Sequence, residues 1–256
     1  MLLVIDVGNT NIVLGVYAND VLAGDWRIRT QLGRTPDEYG MLFKELLDHA
    51  GMKLSDITGI AISNVVPPIM HSLIETCRKY FGLDPFVVDP HENTGIEIVY
   101  EPRSDVGADR IVNAVATHAL YGGPAIVVDL GTATTFDAIS SDGKYLGGAI
   151  APGIGISMEA LFRAASRLPR IDLERPPSPI GTTTETSIQA GFLYGFVGQV
   201  DGIVGKFRKE LGEGARVIAT GGLAELIASE SRTIEVVDQL LTLKGLRLMY
   251  ERGSGK

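Results

Sequence analysis

The sequence predicts an α/β protein built as two duplicated halves. Three observations lead there. Apolar runs of strand length alternate with stretches of helical spacing along the whole chain. The pattern restarts near residue 125. An Asp-x-Gly motif follows the first strand of each half, its aspartates, Asp6 and Asp129, lying 123 residues apart. Composition is that of a globular protein with a real core: 256 residues, 45% apolar and 21% charged, enough for one large domain or two modest ones. A net charge of −8 and a pI near 5.1 argue against a nucleic-acid partner. No apolar run approaches the ~20 residues that span a bilayer. Asp6 interrupts the first apolar stretch and no basic region precedes it, so a signal peptide is not expected. The single cysteine, Cys77, forbids an internal disulfide, and scattered His49, His71, His91 and His118 give no zinc framework; a reducing cytoplasm is the natural setting.

In chain order, 2–7 is a short continuous apolar strand, 12–17 a second, and 21–29 a third after the turn at Asn19-Asp20. Thr35-Pro36-Asp37-Glu38 starts a helix, with Thr35 as N-cap, Pro36 at the first position and Glu38 closing a capping box; it runs to about residue 50 and stops at Gly51. Residues 57–62 form a buried strand. Pro67-Pro68 opens a helix to about 81, and 85–88 is a short strand. Residues 107–120 have helical spacing, ended by Gly122-Gly123-Pro124. The second half repeats the theme: strands at 125–130, 133–139 and 143–150, the last two joined by the Asp142-Gly143 turn, then a helix at 155–164. Residues 165–183 are proline-broken and irregular. A long helix at 184–211, a strand at 215–219, a helix at 223–229, a strand at 233–237 and a helix at 238–251 complete the chain, with no function given to the tail. The lobes are expected at 1–118 and 119–256.

The two motifs are Asp6-Val7-Gly8-Asn9-Thr10-Asn11 and Asp129-Leu130-Gly131-Thr132-Ala133-Thr134. Each lies between two strands, which excludes the P-loop and Rossmann loops, since both feed a helix. Glycine permits a tight turn and close backbone approach, the short polar side chains supply donors, and a strand-end aspartate can hold a metal ion between phosphates. A single copy is better read as a hairpin turn with Asx chemistry; two copies at matching places favour phosphate binding. A third element, the strand and Gly-Gly turn at Thr220-Gly221-Gly222, lets a flat base or ribose lie against the backbone, although alone it is an ordinary strand-to-helix turn.

These elements, in this order, resemble the actin / sugar kinase / Hsp70 superfamily. More narrowly, the chain resembles type III pantothenate kinase. The residues carrying the likeness are the two loops, Ser63-Asn64-Val65-Val66-Pro67, Gly107-Ala108-Asp109-Arg110, Gly147-Gly148-Ala149-Ile150-Ala151-Pro152-Gly153 and Thr220-Gly221-Gly222. The resemblance implies an actin-like ATPase fold: two duplicated ribonuclease H-like lobes with a nucleotide cleft between them. It implies ATP-dependent phosphorylation of pantothenate, the first step of coenzyme A biosynthesis, with coenzyme A feedback absent. The alternative is a non-catalytic accessory factor of transcription in the same family; a filament-forming relative would have no use for Gly-Ala-Asp-Arg.

Residue roles follow from both readings. Asp109, in the first turn of its helix, is either a cap or the proton acceptor of a kinase. The resemblance makes it the acceptor and lines the pantothenate site with Tyr100, Gly107, Ala108, Asp109, Arg110 and Thr184. Tyr100 is otherwise a half-buried strand aromatic, and Thr184 otherwise the N-cap of the long helix. Asp6, Val7, Gly8, Asn9, Thr10, Asn11, Ile12 and Val13 are expected to wrap the ATP phosphates, with Thr132, Gly221 and Gly222 also on the nucleotide. Asp6 is the expected partner of Mg²⁺ through water. By resemblance Asp129 binds a monovalent cation, K⁺ or NH₄⁺, with Mg²⁺ the alternative from residue chemistry. A homodimer with a shared site, Thr184 coming from the other copy, is also implied; no nucleic acid or membrane partner is. Ser63-Asn64 either orients a phosphate or closes a turn. One departure is visible: Thr182-Thr183 stand where Lys-Asn is common in the family, which bears on the substrate lid.

Overall fold

The computed structural model describes residues 1–90, 92 and 94–253; His91 lies outside them. Among these residues there are two five-stranded sheets with one topology. In the first, β1 (Leu2–Val7), β2 (Asn11–Ala18) and β3 (Val21–Arg29) form an antiparallel meander. The strand β4 (Gly59–Asn64) then pairs parallel with β1, and β5 (Phe86–Val87) parallel with β4, giving the order β3-β2-β1-β4-β5. The second sheet repeats this with β6 (Ala125–Leu130), β7 (Ala133–Ile139), β8 (Tyr145–Pro152), β9 (Arg216–Thr220) and β10 (Val236–Val237), ordered β8-β7-β6-β9-β10. The duplication read from two aspartates is thus a duplication of strand order.

Helices connect the parallel strands, as parallel pairing requires. The capping box forms as expected: the Thr35 side chain accepts the Glu38 N–H at the start of α1 (Pro36–His49). The helix expected over 67–81 is α2 (Pro67–Thr76) followed by a π-helical turn at Cys77–Phe81. Strand-face alternation sends Leu3, Ile5 and Val7 into a core with Tyr39, Phe43 and Leu73. Cys77 belongs to this core, where burial pushes its thiol up to about 12 and makes it a packing residue. Trp26 packs at the core's edge. In the second unit, Ile126, Val128 and Phe136 meet Met158 of α4 (Ile154–Ala164), Leu193 and Val200 of α5 (Thr184–Leu211), and Ile227 of α6 (Ala224–Ala228).

One expectation changes. By its position in sequence the last helix, α7 (Leu241–Gly253), is expected in the second lobe. It instead packs on β1, β2 and β4, so the compact units are residues 1–116 with the chain from 241, and residues 117–240. The reason lies in three glycines. A Cβ at Gly15 would reach 3.0 Å from Leu243; one at Gly59 would collide with the Tyr250 hydroxyl; one at Gly245 would collide with the main-chain carbonyl of Val112 in α3 (Ala108–Tyr121). Their bare backbones let α7 lie close against the sheet and against α3, where the Thr242 hydroxyl donates to the Asn113 side-chain oxygen at 2.8 Å. No helix among the described residues is long and apolar enough to cross a membrane.

Because main chain cannot yield as a side chain can, Gly245→Ala is expected to cost ~1–3 kcal/mol of stability, read as a lower urea midpoint with unchanged slope. An unchanged midpoint would mean that α7 does not depend on this contact.

Candidate active site

The first unit gathers its polar motifs at the carboxyl ends of β1 and β4. Main-chain Val7 O accepts the Val65 N–H at 3.1 Å, and the Asn64 side chain accepts the Val66 N–H at 2.8 Å. Asn64 therefore closes the turn into α2. The first loop spans three residues between strands and is closed by Gly8 N–H donating to Asn11 O at 3.0 Å. It is held from β3's end by Thr30, whose hydroxyl donates to Gly8 O at 2.6 Å and whose N–H donates to Thr10 O at 3.0 Å. Thr30 was not foreseen, since nothing local in sequence ties it to a loop 20 residues earlier. Asn9 and Thr10 are exposed, and Gly8, Asn11 and Val13 half-exposed. Val7 and Ile12, grouped with them, send their side chains into the core instead, at 1% and 0% exposure. These two anchor the loop and offer a ligand only main chain.

Asp109 sits half-buried in the first turn of α3, and its carboxylate accepts the Arg110 N–H at 2.8 Å. A Cβ at Gly107 would come within 3.6 Å of Val65, so the Gly-Ala-Asp-Arg turn lies against the 63–67 motif. Burial pushes the Asp109 carboxyl above its ordinary value, against the opposing pull of the Arg110 N–H and the buried Arg110 guanidinium. Asp109 thus bonds the next main-chain N–H at the start of its helix and carries a carboxyl that burial perturbs. Tyr100 is half-buried but lies outside the named strands, just before the turn at Arg103–Asp105.

The second unit gathers its motifs at the ends of β6 and β9. Here the loop spans only Gly131 and Thr132, closed by Gly131 N–H to Ala133 O at 3.1 Å. Gly221 has φ +94, a conformation open to glycine, and a Cβ there would come within 2.7 Å of both an Asp129 carboxylate oxygen and the Leu130 carbonyl. A Cβ at Gly153, which precedes α4, would collide with the carbonyls of Gly131 and Thr132. The Thr220-Gly221-Gly222 turn, the second loop and Gly153 are therefore one cluster around Asp129. Thr132 and Gly222 are exposed on it.

At α5 the sequence reading is corrected. Thr183, not Thr184, is the N-cap: its hydroxyl accepts the Thr186 N–H at 3.1 Å in a reciprocal box. Thr184 is the exposed first residue of the helix and lines a groove of about 830 Å³ with Gly191, Phe192, Gly195 and Phe196. His118 packs against Gly143, and no cluster of three or more His, Cys, Asp or Glu that could hold a metal occurs among the described residues.

Comparison with known proteins fits this arrangement. The family model for type III pantothenate kinase matches residues 2–206. The chain belongs to the type III pantothenate kinase family. The type III pantothenate kinase of Geobacillus kaustophilus is 56% identical over 256 residues, covering 100% of this chain and 99% of its own. At the level of fold, the ethanolamine utilization protein EutJ of Carboxydothermus hydrogenoformans superposes with a TM-score of 0.59 at 16% identity, over 96% of this chain and 89% of its own. The activator of 2-hydroxyisocaproyl-CoA dehydratase from Clostridium difficile gives 0.55 at 14%, over 99% and 96%. The fold is the duplicated actin-like ATPase fold.

The Asp109 carboxyl makes a pH prediction. Its folded value is raised above the ordinary 3.8, so the folded protein binds this proton more tightly than the unfolded chain. Stability from this group is therefore lost as pH rises from the ordinary carboxylate range through the raised value. Asp109→Asn removes that loss. Its thermal midpoint should exceed the parent's at neutral pH, and the difference should shrink on acidification. A lower midpoint at neutral pH would contradict the direction.

Proposed function

We propose that the chain transfers the γ-phosphoryl group of ATP to the primary hydroxyl of pantothenate, giving 4′-phosphopantothenate and ADP at the first step of coenzyme A biosynthesis. Membership of the kinase family carries this reading, with Asp109 as its chemical centre. The carboxylate accepts the hydroxyl proton while the new P–O bond forms and the bond from the γ-phosphorus to the bridging oxygen breaks. A carboxyl group in water ionises well below neutrality and is a weak base; the upward push on Asp109 moves it towards the range where a general base works. The start of α3, with buried Arg110, favours the substrate's carboxylate by charge. Tyr100 and Thr184 supply further substrate contacts.

In this reading Asp6 and the loop from Gly8 to Asn11 hold the ATP phosphates, with Asp6 toward Mg²⁺ through water; Thr132, Gly221 and Gly222 meet the nucleotide. Asp129 suits a monovalent cation, K⁺ or NH₄⁺: its carboxylate lies with the Leu130 carbonyl beside the bare Gly221 backbone, a carboxylate-plus-carbonyl oxygen set. Cations there would neutralise charge that develops on the phosphates. The reading also includes a cytoplasmic setting and a homodimer. Support for the dimer is the α5 groove: Gly191, Gly195 and Gly198 have open space where side chains would be, beside the stacked Phe192 and Phe196 rings. Such a stripe accepts a second helix closely, and Thr184 at its start would enter the partner's site.

An ADP-release assay tests the activity. Turnover should require pantothenate, should collapse when Na⁺ replaces K⁺ at equal ionic strength, and should fall ~10²–10⁴-fold in Asp109→Asn with the fold intact. Pantothenate-independent ADP release would refute the kinase reading, and equal rates in Na⁺ and K⁺ would return Asp129 to Mg²⁺ or the phosphate loop.

Subunit exchange tests the shared site. Inactive Asp109→Asn and Thr184→Arg proteins, allowed to exchange, would form mixed dimers in which one site carries both defects and the other neither. Activity should recover to about one quarter of wild type by that count. No recovery after demonstrated exchange would place both residues of each site in one chain.

A further inference from the structure

Asp6 has a neighbour that neither the kinase chemistry nor the turn geometry uses. In the parallel pairing of β1 with β4, Asp6 stands opposite Ser63. Residues opposite each other in a sheet point to the same face, and adjacent strands are ~4.8 Å apart. The face is fixed by the glycines beneath α7. Gly15 and Gly59 meet α7, Val4 lies opposite Gly15, and alternation then puts Asp6 and Ser63 on that same face. The nearer positions there, Val4 and Ala61, are apolar.

Ser63 is 0% exposed, and its hydroxyl has no hydrogen-bond partner among the described residues. Alanine would fill the same space without the cost of an unsatisfied buried donor. The second sheet repeats the placement: in the parallel pairing of β6 with β9, Asp129 stands opposite Thr220, a hydroxyl residue 2% exposed. Two sheets of one topology each set a short hydroxyl residue opposite the aspartate that stands one residue before the end of their central strand.

We propose that Ser63 is a positioning residue for Asp6, its hydroxyl donating to the Asp6 carboxylate when the first loop holds the triphosphate. Rotation of the two side chains closes the distance, with no movement of the strands. The bond fixes the carboxylate's orientation toward the metal and phosphates and satisfies the buried hydroxyl in the same step. Asn64 closes the turn while Ser63 serves the loop, so the two halves of the Ser63-Asn64 pair divide the roles.

The inference rests on Asp6 serving the nucleotide, and the experiment separates the two. Affinity for Mg²⁺ with the non-hydrolysable β,γ-imido analogue of ATP is measured by calorimetry, and the thermal midpoint of the ligand-free protein is measured alongside. In Ser63→Ala the midpoint should equal or exceed the parent's, because an unsatisfied hydroxyl has gone. Analogue affinity should fall about tenfold, the effect of losing a hydrogen bond to a charged group. Ser63→Cys, which keeps the shape with a weaker donor, should fall in between and replaces the alanine variant if that one does not fold. In an Asp6→Asn background the serine change should cost little further affinity. An affinity within twofold of the parent, a lowered ligand-free midpoint, or losses that simply add to those of Asp6→Asn would overturn the proposal. Failure of the parent itself to bind the analogue would instead refute the nucleotide role of Asp6.

Discussion

The parallel pairing of β1 with β4, and of β6 with β9, is the constraint on which the rest depends. A parallel pair brings two strand carboxyl ends side by side, where connecting turns leave main-chain groups and short side chains for a ligand. Asp6 and Ser63 stand opposite each other there in one sheet, Asp129 and Thr220 in the other. Each antiparallel partner then only has to return the chain through a tight loop. The loops differ by one residue, three against two, although their sequences look like copies. Both loops expose the two residues before the return strand, Asn9 and Thr10 in the first and Gly131 and Thr132 in the second, and the shorter second loop is braced by Gly153 and Gly221.

Bare backbone is used for two different purposes. Around Asp129, Gly153 and Gly221 bring turns so close together that a Cβ at either position would collide with neighbouring main chain. Under α7, Gly15, Gly59 and Gly245 bring a helix close to the sheet and to α3. The clamp of α7 on α3 holds the helix whose first turn carries Asp109, the carboxyl that burial pushes up.

Burial also separates anchors from contacts within a single motif. Val7 and Ile12 flank the first loop as core residues, so the loop is rigid at both ends and polar at its tip. Arg110 follows Asp109 but is itself buried, so it acts through charge on a neighbouring carboxyl more than as a reaching side chain. Thr183 takes the capping duty at α5, which leaves Thr184 exposed at the groove.

The sequence by itself determined the elements and the duplication. Strand-length apolar runs, the Thr35–Glu38 capping box and the Asp142-Gly143 turn are local signals, and local hydrogen bonding and face alternation suffice to make them true. The paired Asp-x-Gly motifs drew attention to Asp6 and Asp129, whereas Asp109 was picked out by the family likeness of Gly-Ala-Asp-Arg, its spacing alone reading equally well as a helix cap. Only the tertiary structure decided which unit α7 joins, because three glycines scattered over 230 residues create a fit that no window of sequence contains. It alone brought Thr30 to the first loop and Gly221 to Asp129, contacts made across strands and not along them. It alone divided Ser63 from Asn64, since adjacent residues on a strand face opposite sides, and which side is buried against what is fixed by the packing of other elements.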